Sequence, residues 1–205
     1  LNELQKNLKI KIDFKQLNTQ PRRDKAQVIQ NEMQLIMRSN LYRDKFLKML
    51  DEREYVNGEL SKWKYASPNE IYYHVMSARE VLNPEEDNEV DIWVDDYYSF
   101  RRIIGFTSTK DKYIHTNTRY FDKRTSKLNG SNFHHEWGHK MGFSHDKRNT
   151  KRRKNSLCYL MNEIYEQCWD IMFSEPSAND KVLVCYRSWR NLWFKRCYWK
   201  YAGEV

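Results

Sequence analysis

Four of the six histidines in this chain fall within twelve residues, in the segment Phe133-His134-His135-Glu136-Trp137-Gly138-His139-Lys140-Met141-Gly142-Phe143-Ser144-His145-Asp146. Positions four apart share one face of a helix, so the imidazoles of His135 and His139 can hold a single metal ion. Glu136 follows the first of them, where its carboxylate can reach a metal-activated water without itself ligating the metal, the place of a general base. Gly142 comes after the last turn of such a helix, where a positive φ lets the chain reverse. His145, three residues on, can then return as a third ligand. Three protein ligands leave a fourth position for water, which is the pattern of a catalytic zinc site rather than a closed structural one. In a chain of this composition, three His, one Glu and one Gly at these offsets have a chance expectation on the order of 1 in 100,000. A helix bearing His135, Glu136 and His139 with a sharp turn behind it is therefore the element the rest of the fold has to accommodate.

The remainder of the sequence suits one catalytic domain of 205 residues in two lobes, 1–142 and 143–205. Aromatic residues make up 15%, which argues against disorder, and no apolar run approaches the roughly 20 residues of a membrane-spanning helix. No membrane insertion is expected, and the first residues show no basic stretch followed by an apolar one, so any secretory leader would already have been removed. Leu8 to Phe14 alternates apolar and charged residues like a half-buried strand, and Asp24 to Asp51 carries apolar residues at helical spacing, as one long helix or two short ones. Ser67-Pro68-Asn69-Glu70 is a capping-box start for a helix over Asn69 to Leu82, ended by Pro84. Strands are expected at Glu89 to Tyr98, Ile103 to Thr107 and Tyr113 to Tyr120, then the histidine helix from about Asn132 to Met141 and a C-terminal helix from about Ala178 to Cys197. The expected class is α+β, a small twisted mixed sheet with backing helices.

The histidine segment matches the HExxHxxGxxH signature of the metzincin zinc endopeptidases. Leu160-Met161-Asn162, sixteen residues after His145, resembles the turn whose methionine lies beneath the zinc in that clan, so Met161 is expected to be a structural floor in a smaller C-terminal lobe. Asp146 after the third histidine is similar to the adamalysin-like branch. The resemblance implies a secreted zinc-dependent endopeptidase, acting as a monomer on protein or peptide substrates, with one catalytic Zn2+. Calcium is common in relatives, but no acidic loop of the EF-hand type supports it here. The resemblance also implies that the last strand before the histidine helix, with Tyr113, Ile114, His115, Thr116 and Asn117, pairs with an extended substrate, and that Tyr165 contributes to a pocket wall. The competing origin for a Tyr165, Trp169, Phe173 stripe is core packing. His134, about 100° around the helix from the ligands, is expected to be structural.

Two alternatives come from the same residues. Asn162-Glu163-Ile164-Tyr165-Glu166 resembles the segment that supplies a glutamate ligand in gluzincin peptidases, which would make Glu163 the third ligand. The run Lys147 to Lys154 has six cations in eight residues, and with a formal charge of +8 it suits acidic surfaces or a non-enzymatic nucleic-acid-binding or surface-binding module. The four cysteines, Cys158, Cys168, Cys185 and Cys197, allow three pairings. On one helix Cys185 and Cys197 would lie roughly 18 Å apart, so each would need a partner at Cys158 or Cys168. Disulfide bonds in a secreted protein are expected, the alternative being four buried free thiols.

Overall fold

The structure, a computed structural model, describes residues 2–52, 66–146, 150–174, 181–187 and 195–201. The chain separates into two compact units, Leu1–Met172 and Phe173–Val205, so the lobe boundary expected at residue 142 falls inside the first. In chain order the elements are α1 (Asn2–Asn7), β1 (Lys9–Gln16), α2 (Gln20–Arg38), α3 (Asn40–Glu52), α4 (Pro68–Met76), β2 (Glu89–Tyr97), β3 (Gly105–Phe106), β4 (Tyr113–Asn117), α5 (Thr118–Phe121), α6 (Ser126–Lys140), α7 (Lys151–Lys154), α8 (Leu157–Phe173), β5 (Lys181–Arg187) and β6 (Lys195–Tyr201). This is a mixed α+β chain with a small, open, four-stranded sheet. No helix among the described residues is long and apolar enough to cross a membrane.

The sheet runs in the order β1-β2-β4-β3, with β1, β2 and β4 parallel and β3 antiparallel at the end. Ile10 and Ile12 sit in register with Val90 and Ile92, and all four are buried, so the alternation read from the sequence faces the core. α2 covers this layer through Ala26, Ile29, Met33, Ile36 and Met37. At the outer edge of β1, where an end strand leaves main-chain donors open, Gln34 Oε1 accepts from Ile10 N at 2.7 Å and Gln30 Oε1 from Ile12 N at 2.8 Å. Ser39 divides the long helical stretch in two: its N–H closes α2 on Ile36 O, and its Oγ accepts from Tyr42 N to start α3.

Four boundaries differ from the sequence reading. α4 has the capping box at Ser67 and Glu70 but ends at Met76, because Ala78 turns at φ 50° and brings Glu80 inward and Val81 N onto Lys140 O at 2.8 Å. α6 begins at Ser126 rather than near Asn132, capped by Thr125 Oγ1 accepting from Leu128 N. β4 stops at Asn117, whose side chain accepts from Arg119 N and opens α5.

The fourth difference is the C-terminal helix expected over Ala178 to Cys197. The described parts of the second unit are two antiparallel strands, β5 and β6, in keeping with the β-branched and aromatic alternation of Val182, Val184 and Tyr186. Their register puts Cys185 opposite Cys197, which removes the helical separation assumed for this pair, while Cys158 and Cys168 are buried free thiols. Of the basic run, residues 147–149 lie outside the described residues.

Candidate metal centre

Helix α6 presents two faces to two environments. Gly130, His134 and Gly138, four apart, meet side chains of α8. A Cβ on Gly138 would lie 3.2 Å from Cys158 Sγ and 3.3 Å from Met161 Sδ, and one on Gly130 would collide with the Tyr165 hydroxyl. The adjacent face carries Asn132, His135, Glu136 and His139 into a cavity of about 850 Å³.

The end of α6 delivers the third histidine. Gly142 N donates to His139 O at 3.0 Å and Phe143 N to Gly138 O at 3.1 Å, with Gly142 at φ +90°. This reciprocal pair is a Schellman stop, and its left-handed residue favours glycine. His74 of α4, buried and with no motif in the sequence to single it out, donates from Nε2 to Met141 O at 3.0 Å and sets its ring edge on Phe143. Three residues past the stop, His145 comes back over α6.

Ligand nitrogens of His135, His139 and His145 all lie within 4.8 Å of one another, a group that could hold a metal ion. His135 Nε2 and His145 Nε2 are 3.3 Å apart. His139 Nδ1 donates to Phe143 O at 3.0 Å and His145 Nδ1 to Asp146 O at 3.0 Å, while His135 is hydrogen-bonded to the main chain of Cys158. Main-chain carbonyls on one nitrogen fix the tautomer and leave the other nitrogen as a lone-pair donor for a cation. Burial holds all three imidazoles below the usual histidine range, His139 to about 4, so they are neutral and suited to ligation. Burial pushes the Glu136 carboxyl up to about 8, opposed by the charge of Lys140 and a hydrogen bond from the Thr107 main chain.

Several expected site residues sit elsewhere. β4 is an interior strand, with β2 along one side through Tyr113 to Asn117 and β3 on the other at His115 and Thr116, so it offers no free edge to a substrate at those positions. Ile114 and Thr116 are buried, Asn117 caps α5, and Tyr113 is partly covered. His115 stacks on Phe106 and bonds Asp111 at 3.0 Å and Asp95 at 3.3 Å. It is β3 and its flanks, Arg102 to Thr107, that border the cavity. Tyr165 is fully buried beneath α6, which favours the core origin of its stripe. Met161 is fully buried under Gly138, but it lies within α8 and not in a turn. Glu163 stands outside the three-histidine group, and its Oε1 accepts from Gln167 at 3.1 Å.

His134 is structural, as expected: Nδ1 donates to Met161 O at 2.9 Å, and Nε2 bonds the Tyr42 hydroxyl at 2.9 Å. The sequence reading passed over Tyr159 and named Asn162 and Glu166 only within longer segments, without a role of their own; the three form the cavity-facing stripe of α8 at spacings of three and four. Their signal was the complementary apolar stripe Leu157, Leu160, Met161, Ile164, Tyr165 and Cys168. The Tyr159 ring lies 4.6 Å from that of His135 and 5.0 Å from that of His145, and its hydroxyl accepts from Arg153 Nε at 2.8 Å. Compared with family models, curated proteins and solved structures, the chain matches none in any of the three sets.

Proposed function

We propose that the chain is a secreted, zinc-dependent endopeptidase of metzincin type, with His135, His139 and His145 as ligands and Glu136 as general base. The observation that carries this reading is the convergence of three neutral imidazoles and one buried carboxyl in a cavity bordered by the end strand of a sheet. The donor set, three neutral imidazole nitrogens, is of the kind zinc takes; the His135 and His145 nitrogens stand 3.3 Å apart, and all three lie within 4.8 Å of one another. A zinc ion held there by His135, His139 and His145 would supply Lewis acidity toward a peptide carbonyl and lower the pKa of a water to near neutral.

The chain's own residues account for the other requirements. β3 has no strand partner on its outer side among the described residues, so an extended peptide can add to it through main-chain hydrogen bonds, taking the role first expected of β4. Glu136, one residue from a ligand, would in its ionised form receive the proton of the attacking water and pass it to the leaving nitrogen. Tyr159, whose hydroxyl already accepts from Arg153, keeps its own proton to donate toward a carbonyl oxygen as negative charge develops. Met161 and Cys158 support the histidine helix from beneath.

The test is casein cleavage by the zinc-loaded chain, with and without a chelator, beside Glu136→Ala. Loss of cleavage in both the chelated and the substituted samples is expected. Cleavage that survives chelation, or a folded chain that takes up no zinc, defeats the proposal, and salt-dependent DNA binding in that second case would favour the basic binding module.

A further inference from the structure

We infer that the end of the cavity formed by Arg124 and Asn132 is a carboxylate-binding subsite, which selects peptides with Asp or Glu near the bond to be cleaved. The part of this statement that concerns cleavage rests on the peptidase reading above.

Arg124 immediately precedes the N-cap of α6, and Asn132 lies on α6 one turn before His135 and Glu136. Both line the same cavity as those two residues. Arg124 Nη1 and Asn132 Nδ2 are buried donors with no hydrogen-bond partner among the described residues. Arg124 is half-buried, and an unmade hydrogen bond on the buried nitrogen of a cationic group carries a cost that an anion entering the cavity offsets. Burial lowers the guanidinium's pKa, and the one charge acting in the opposite direction is Glu166.

Glu166 does not fill the position itself. Its Oε1 accepts from Ser131 Oγ at 2.6 Å and Asn162 Nδ2 at 3.1 Å, and it forms no ion pair with Arg124. A substrate carboxylate has the complementary shape, with one oxygen for the guanidinium and one for the amide. Arg102 and Arg153 also line the cavity, so three arginines share its lining with Glu136 and Glu166, and the field favours an anion even before a metal cation is added.

The position of β3 links this subsite to a peptide. Gly105 lies so close to Asn132 that a Cβ there would stand 2.7 Å from Asn132 Nδ2, so the β3 main chain passes directly beside the amide. A peptide paired along β3 carries its side chains past Asn132 into the cavity that Arg124 also lines.

The experiment uses the full chain and a set of fluorescent peptides in which Glu replaces Gln at one position at a time. Equilibrium binding is read on zinc-loaded Glu136→Ala, and cleavage-site preference on the unsubstituted chain with a peptide mixture. A Glu peptide is expected to bind roughly 10- to 100-fold more tightly than its Gln counterpart. In the same Glu136→Ala background, Arg124→Gln is expected to remove the difference and Arg124→Glu to turn the preference toward Lys. Should the Arg124 variants fail to fold, Asn132→Leu, which removes the second donor, is expected to reduce the preference. Equal binding of Glu and Gln peptides, or a preference that survives Arg124→Gln, overturns the subsite. Cleavage without acidic preference sinks the subsite and leaves the peptidase, whereas acidic preference in binding without any cleavage does the reverse.

Discussion

His134 and His135 are neighbours in sequence and look alike in burial, yet they occupy opposite roles on the two faces of α6. Both rings are held neutral by desolvation, so a depressed pKa does not separate them. Hydrogen-bond accounting does. On the core face, His134 has one nitrogen on Met161 O and the other on the Tyr42 hydroxyl, so neither remains for a ligand. On the cavity face, each of the three clustered imidazoles has a main-chain partner, and their remaining nitrogens converge. A buried histidine is open to a metal ion or serves only as a structural post according to whether its second nitrogen is already committed.

The strongest way to break this contrast is on the cavity face. On the proposed reading, Glu136→Gln lowers peptide hydrolysis by about 10²- to 10⁴-fold, with zinc content and melting temperature unchanged by metal analysis and calorimetry. Next comes the ligand set. His145→Ala should weaken zinc by more than the 10- to 100-fold typical of an outer-shell partner, whereas Glu163→Ala should leave it intact. The opposite pattern in a competitive chelator titration would move the third ligand to Glu163.

On the core face the effects are on stability. His134→Leu leaves Met161 O and the Tyr42 hydroxyl buried without their partner and should cost about 2–5 kcal/mol in a denaturant titration. The smallest effect is a pH dependence set by Glu80, which accepts from the Trp137 indole at 2.7 Å and is pushed by burial from 4.5 up to about 8. Between those values the folded chain keeps a proton that the unfolded chain has lost, so stability falls as pH rises from about 4.5 to about 8 and levels off above. Glu80→Gln should flatten that slope, and an unchanged slope would mean that another group carries it.

What could be read from the sequence is what local spacing encodes. The offsets of His135, Glu136, His139, Gly142 and His145 describe a helix, a stop and a return, and each is present. Strands β1 and β2 declared themselves by alternation, and α2 and α3 by helical recurrence of apolar residues. The misplaced assignments concern position in the tertiary structure. Nothing in Tyr113 to Asn117 says that the short segment Gly105–Phe106 will lie outside it and take the sheet's end. Gly130 falls inside α6, ahead of the expected start near Asn132, and the Tyr165 hydroxyl that uses its missing Cβ is 35 residues away in sequence. Arg124 and Asn132 carry no spacing signal, since being unpartnered is a property of the folded cavity.

The two glutamines laid along β1 bear on how copies of this chain meet in concentrated solution. Ile10 and Ile12 already give their N–H groups to Gln34 and Gln30, so a neighbour that tries to extend the sheet on that side finds no donors at those residues. The other margin of the sheet, at β3, opens onto the histidine cavity. A stray strand from a second copy therefore has its better landing place at β3, and on the proposed reading crowding would register as self-inhibition before it registered as fibre growth.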